Sequence, residues 1–235
     1  MQIKESIALV TGANRGLGAA FMRALLAAGA TKVYAAARDP SSIAPQAGVV
    51  PVKLDVTQDD QVAALARDLS DVTLVVNNAG ISEQVLLLGS GAVESLRRQF
   101  ETNAVGPLRL IQAFAPTLAK NGGGGVINIL SVLTWLTFPT TGAYGASKAS
   151  AWALGNALRG ELKAQGTELL AVHSALIDTD MARGLPGDKL SPDDLARAAI
   201  AALEAGQPEY LADPTTRGVH AGLSAQPPVY IGAAA

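Results

Sequence analysis

Short runs of β-branched and apolar residues alternate along the chain with longer Ala- and Leu-rich stretches in which apolar side chains recur every three to four positions. The short runs are IALV at 7–10, KVYAA at 32–36, VVPVKL at 49–54, TLVV at 73–76, GVINIL at 125–130 and ELLAVH at 168–173. Helical periodicity fills about 17–28, 58–69, 92–119, 142–165 and 191–205. Strands apolar on nearly every residue are buried on both faces, which calls for helices above and below a parallel sheet. Right-handed crossovers then make that sheet doubly wound. NGGGG at 121–125 falls where a helix C-terminus must hand over to a strand, so it reads as a tight turn and not as a linker. The alternation is unbroken, and we expect residues 1–235 to form a single α/β domain with about seven strands.

Composition narrows the partners. Ala and Gly are abundant and aromatics few, which suits close helix-on-sheet packing. A formal net charge of −2, with Lys and Arg dispersed, offers no basic stripe for nucleic acid and no polybasic membrane patch. There is no cysteine, and the only histidines are His173 and His220, so neither a disulfide nor a thiolate or histidine metal site is expected. MQIKESIALVTG runs straight into the first strand without a signal-like apolar segment, and no run is long enough to span a bilayer; the expected compartment is the cytoplasm.

Directly after the first strand, TGANRGLG (11–18) places Gly12, Gly16 and Gly18 at the opening of a helix. Residues without Cβ let backbone N–H groups approach a pyrophosphate, and a helix N-terminus adds donors and partial positive charge. The spacing differs from the common G-x-G-x-x-G, and an ordinary glycine-rich turn is the alternative. At the end of the second strand, Ala37 stands where an acidic residue would accept from a ribose 2′-OH, and Arg38 follows it. With Arg15 in the glycine loop, two guanidinium groups would suit the 2′-phosphate of NADP, unless both are solvated surface side chains. LDV (54–56) and NNAG (77–80) end the third and fourth strands, at the sheet edge where ligands of such folds bind. Asp55 could accept from an adenine amino group, and Ala79 and Gly80 are small enough for close approach.

YGASK (144–148) puts a phenol and an ammonium on one helix face, four residues apart. A free phenol has a pKa near ~10, and a neighbouring ammonium lowers it. Ser131 ends the fifth strand thirteen positions earlier, where a loop could bring its hydroxyl to a carbonyl oxygen. Together these groups could polarise and protonate a ketone while a nicotinamide delivers hydride. An interfacial Tyr, a surface Lys and a capping Ser would each be the plain structural reading of one part alone.

The order and separation of TGANRGLG, LDV, NNAG, Asn103 in ETNAVGP, Ser131 and YGASK resemble the short-chain dehydrogenase/reductase family over nearly the whole chain. The resemblance implies a Rossmann fold. It implies Tyr144 as general acid/base, Ser131 as donor to the substrate oxygen, and Lys148 on the nicotinamide ribose. Asn103 would bend its helix and hold a water of a proton relay. Gly12, Asn14, Arg15, Gly16, Leu17, Gly18, Arg38, Asp55, Val56, Asn78, Ala79, Gly80, Ile177 and Thr179 would form the NADPH/NADP+ site, together with Tyr144 and Lys148. The helices about 92–119 and 142–165 would pair across a two-fold axis into a homodimer or homotetramer.

One departure is that Ser174 and Ala175 replace the Pro-Gly that the family places before a segment like IDTDM. The substrate loop, about 180–192, is short, which implies an open pocket. His173, closing the sixth strand, reads as structural. The leading expectation is an NADPH-dependent carbonyl reductase; the alternatives are an NAD-linked alcohol dehydrogenase and a dinucleotide-binding sensor without catalysis. Residues 81–87, 132–141 and 175–190 should line the substrate pocket. They are mostly apolar with no guanidinium in place to hold an anion, which points to a hydrophobic or aromatic carbonyl compound.

Overall fold

The computed structural model describes residues 1–231 and contains one parallel sheet of seven strands in the order β3-β2-β1-β4-β5-β6-β7. The strands are β1 (Ile7–Thr11), β2 (Lys32–Ala37), β3 (Val49–Lys53), β4 (Leu74–Asn77), β5 (Gly124–Ile129), β6 (Thr167–His173) and β7 (Glu209–Leu211). The order reverses between β1 and β4, so the carboxyl ends of these two neighbours open the crevice in which such sheets bind ligands.

Alternation along the strands divides the core in two. Val10 and Val76 face α1 (Gly16–Ala27) and α6 (Pro192–Glu204), where Phe21, Leu25 and Leu203 are buried against them. Leu9 and Val75 face α2 (Asp59–Asp68) and α4 (Gly106–Lys120), meeting Val62, Leu110 and Phe114. This is the two-sided cover that the apolar strands require. β3 departs from the expectation: as an edge strand it is largely exposed with no buried residue, and Pro51 within it is tolerated because it lies at the edge.

The periodic stretch 92–119 is not one helix. It is α3 (Ala92–Phe100), a π-helical turn (Glu101–Val105) and α4. NGGGG is the tight turn expected: Gly122, Gly123 and Gly124 all have positive φ, and a Cβ on Gly124 would run into the carbonyl oxygen of Thr73. Two elements escaped the sequence reading. β7 is three residues long, too short to show a period. α7 (Pro214–Ala221) starts at Asp213, whose carboxylate accepts from the Thr216 N–H at 2.8 Å; the D-P-T-T sequence was a legible start signal. Among the described residues no helix is long and apolar enough to cross a membrane.

Candidate active site

The glycine loop is built as a cradle. Gly12 and Gly16 adopt positive φ, at 63° and 54°. A Cβ on Gly18 would collide with the carbonyl oxygen of Gly12, so Gly18 lets α1 start directly beneath the loop while lying outside the cavity lining. β4 holds the loop from the other side of the switch point. Asn78 donates Nδ2 to the carbonyl oxygens of Thr11 (2.8 Å) and Gly12 (3.2 Å), and Thr11 Oγ1 accepts from the N–H groups of Asn78 and Ala79, both at 3.0 Å. Asn78 thus shapes the loop as well as bordering the cavity.

Above the loop lies a cavity of about 2180 Å³ that runs to the end of β5 and the start of α5 (Gly142–Lys163). Of the expected site residues, Gly12, Asn14, Arg15, Gly16, Leu17, Arg38, Asp55, Val56, Asn78, Ala79, Gly80, Ser131, Tyr144, Lys148, Ile177 and Thr179 all border it. Asn103 and Gly18 do not. Arg38 is exposed at the mouth. The next residue, Asp39, turns its carboxylate to Ser41, accepting from its N–H at 3.0 Å and its Oγ–H at 2.7 Å. Arg15 is engaged, donating Nη1 to Asp180 at 2.9 Å. Asp55 accepts from the Thr57 N–H (3.0 Å) and hydroxyl (2.7 Å).

At the far end, Tyr144 and Lys148 are buried one turn apart on α5. Lys148 donates Nζ to the Ile129 carbonyl at 2.8 Å, and Nζ lies 5.7 Å from the centre of the Tyr144 ring. Burial pushes the Tyr144 phenol up to about 12, offset in part by the neighbouring Ser131 hydroxyl; burial pushes Lys148 down to about 8. The expectation that the ammonium would lower the phenol is corrected here, since desolvation of the phenol outweighs a lysine aimed at a main-chain carbonyl. Ser131 Oγ accepts from the Leu133 N–H at 3.1 Å, which leaves its O–H to donate.

Asn103 sits in the π-helical turn between α3 and α4. Its amide hydrogens go to the Ile81 carbonyl (2.9 Å) and Ser147 Oγ (3.0 Å), and Ile81 N–H returns to Oδ1 at 2.9 Å. A water here would have to bind an oxygen of Asn103. Ser147 donates to the Tyr144 carbonyl at 2.7 Å, so Asn103 supports the turn carrying the phenol.

The wall after β6, where Ser174 and Ala175 stand, is secured by a residue the sequence reading missed. Buried Asp213 accepts from the Ala175 N–H at 2.8 Å while capping α7. The substrate end is lined by Leu133, Leu136, Phe138, Met181 and Leu185, but Arg97 and Arg98 also reach the cavity border, against the expectation of no guanidinium there. Arg98 is spent on Glu83, donating Nε at 3.0 Å and Nη2 at 2.7 Å; these bonds and that of Ser95 hold the Glu83 carboxyl down at about 2.

The profile of the short chain dehydrogenases matches residues 6–189. An uncharacterized oxidoreductase of Staphylococcus epidermidis is 32% identical over 222 residues, covering 89% of this chain and 95% of the relative. A short chain dehydrogenase from Burkholderia cenocepacia, crystallised in complex with NADP, is 38% identical, with a TM-score of 0.92 and coverage of 97% of this chain and 96% of that one. One from Streptomyces avermitilis is 27% identical, with a TM-score of 0.80 over 94% of this chain and 96% of its own. A match that begins before β1 and ends beyond β6, on a sheet that superposes over nearly its full extent, means that this chain belongs to the short-chain dehydrogenase family and is an oxidoreductase.

Proposed function

We propose that the protein is an NADPH-dependent carbonyl reductase acting on a small, hydrophobic ketone or aldehyde, with Tyr144 as general acid. The observation that carries this reading is that Ser131, Tyr144 and Lys148 border the same cavity as the glycine loop. The loop suits a pyrophosphate because Gly12 and Gly16 take positive φ with no Cβ, which leaves main-chain N–H groups at the start of α1 open to approach, and because added side chains there would press on Asn78, Ala79 and Thr179 at the cavity border. Gly12, Asn14, Gly16 and Leu17 would hold the phosphates, Asp55 and Val56 the adenine, and Asn78, Ala79, Gly80, Lys148, Ile177 and Thr179 the nicotinamide half. Arg38 and Arg15 would take the 2′-phosphate, and the NADP bound by the Burkholderia cenocepacia relative supports that choice. When bound, NADPH supplies the hydride.

Ser131 donates its hydroxyl proton in a hydrogen bond to the substrate carbonyl oxygen, and Tyr144 gives that oxygen its proton as it becomes an alcohol. Burial raises the Tyr144 phenol to about 12, so it holds a proton to donate at neutral pH. The apolar side chains of Leu133, Leu136, Phe138, Met181 and Leu185 support a hydrophobic substrate. The alternative, an NAD-linked alcohol dehydrogenase, gains support from the Arg15–Asp180 ion pair, which removes one guanidinium from the phosphate site.

A panel of ketones and aldehydes followed by NADPH absorbance, with wild type and Tyr144→Phe, tests the reading. We expect turnover to fall at least ~100-fold in Tyr144→Phe while NADPH still binds. A variant as active as wild type would sink it.

A further inference from the structure

Both histidines of the chain gather at one indole. The Trp135 ring stacks on His173 at 4.1 Å between centres with 17° between planes, and lies 5.0 Å from His220. His173 is completely buried. Its Nδ1 is 3.2 Å from the main-chain carbonyl oxygen of Ser131. A carbonyl only accepts, so Nδ1 carries the proton and Nε2 a lone pair. Nε2 has no hydrogen-bond partner among the described residues and stands 3.9 Å from the Glu209 carboxylate, which is itself held by the Trp152 indole N–H at 2.7 Å. Burial pushes the imidazole down to about 4, so it is neutral at physiological pH. An apolar side chain could fill this space without leaving a buried nitrogen unpartnered. What only a donor at Nδ1 adds is the bond to Ser131.

That bond completes a bracket around one peptide group. The Ser131–Val132 unit is held at its oxygen by His173 and by the Thr134 N–H, which donates to it at 3.1 Å, and at its nitrogen by Ser174, whose carbonyl accepts from the Val132 N–H at 2.8 Å. Ser131 is the last extended residue before the chain turns, at φ −158° and ψ 160°. Its hydroxyl direction therefore depends on this peptide staying in plane. We propose that His173 is a positioning residue, whose Nδ1–H fixes the Ser131 peptide and so aims the Ser131 hydroxyl into the cavity. The proposal rests on the reading that Ser131 meets the substrate oxygen.

Three substitutions separate this role from plain packing. Asn carries its amide nitrogen at the position of Nδ1, Gln at the position of Nε2, and Leu carries no donor. Loss of one hydrogen bond corresponds to about 10-fold in rate. We expect His173→Asn to keep kcat within about 3-fold of wild type, and His173→Gln and His173→Leu to lose about 10-fold or more in kcat. KM and the NADPH dissociation constant, read by fluorescence, should stay unchanged in all three. Equal kcat in Asn and Gln variants that both bind NADPH would overturn the proposal, whether or not the Leu variant folds. A second readout needs no turnover. With only two histidines, long-range 1H–15N NMR should show one neutral imidazole protonated at Nδ1; a buried imidazole protonated at Nε2 would overturn the proposal. Tyr144→Phe, run alongside, keeps the two readings apart: if it stays active the reductase reading fails, whereas a dead Tyr144→Phe beside equal Asn and Gln variants condemns the role of His173 alone.

Discussion

Lys148 ties α5 to the carboxyl end of β5 by donating Nζ to the Ile129 carbonyl at 2.8 Å. Burial lowers this lysine from 10.5 to about 8, so it is charged below that pH and neutral above it. Because the charged form is the one expected to bind the cofactor, NADPH affinity should weaken as pH rises through about 8, by no more than ~10-fold per pH unit for one proton. Fluorescence titrations of NADPH from pH 6 to 10 check this. The profile should flatten in Lys148→Met, and a flat wild-type profile would contradict the assignment.

Cofactor choice should follow Arg38. A charge-assisted bond to a 2′-phosphate is worth about 1.5–3 kcal/mol before screening, so NADPH should be preferred over NADH by at least ~10-fold in kcat/KM. Arg38→Ala should shrink that ratio, and Ala37→Asp should invert its trend by repelling the phosphate. An unchanged ratio in Arg38→Ala would mark this arginine as a surface residue.

Arg15 must leave Asp180 before it can serve the same phosphate. Asp180→Asn removes the competing charge, and we expect the NADP+ dissociation constant to fall while that for NAD+ stays put. Calorimetric titrations with both dinucleotides decide it; equal shifts for the two would place Arg15 elsewhere.

The strands were legible because two-sided burial writes itself as unbroken apolar runs, and the glycine loop because positive φ and close approach demand glycine. Other features leave no local trace. The π-helical turn at Glu101–Val105 has no residue type in ETNAV that marks it, so the sequence pattern alone reads 92–119 as one continuous helix. The Tyr144 phenol was misjudged because a sequence lists its neighbour Lys148 but not the depth at which both are buried. The bonds from His173 to Ser131 and from Asp213 to the Ala175 N–H join residues about forty positions apart, through contacts that only the assembled sheet creates.

The turn between α4 and β5 should be intolerant of side chains. Gly124→Ala would force a Cβ into the Thr73 carbonyl at φ 95°, combining backbone strain with overpacking. We expect at least ~2 kcal/mol of destabilisation in chemical denaturation, against less than ~0.5 kcal/mol for Gly160→Ala, an exposed helical site where an added Cβ meets open space. Comparable stability of the two variants would refute the argument.

α5 presents Ala146, Ala153, Ala157 and Gly160 on an exposed face, a strip small enough for another helix to approach closely. We expect a dimer or tetramer by light scattering at micromolar concentration, and dissociation in Ala153→Arg. A wild-type monomer would contradict this.

The largely exposed edge strand β3 bears on how copies of the chain can meet. Gly48 gives its carbonyl, and Leu54 its N–H, to β2, so the even-numbered residues between them pair inward and Pro51 turns its nitrogen outward. That outer rim lacks a donor in its middle, and at the opposite rim β7 offers only three residues. Pro51 at one rim and the shortness of β7 at the other both disfavour strand-to-strand pairing between molecules. Replacing Pro51 with a β-branched residue would restore the missing donor and make this rim a better template for another chain.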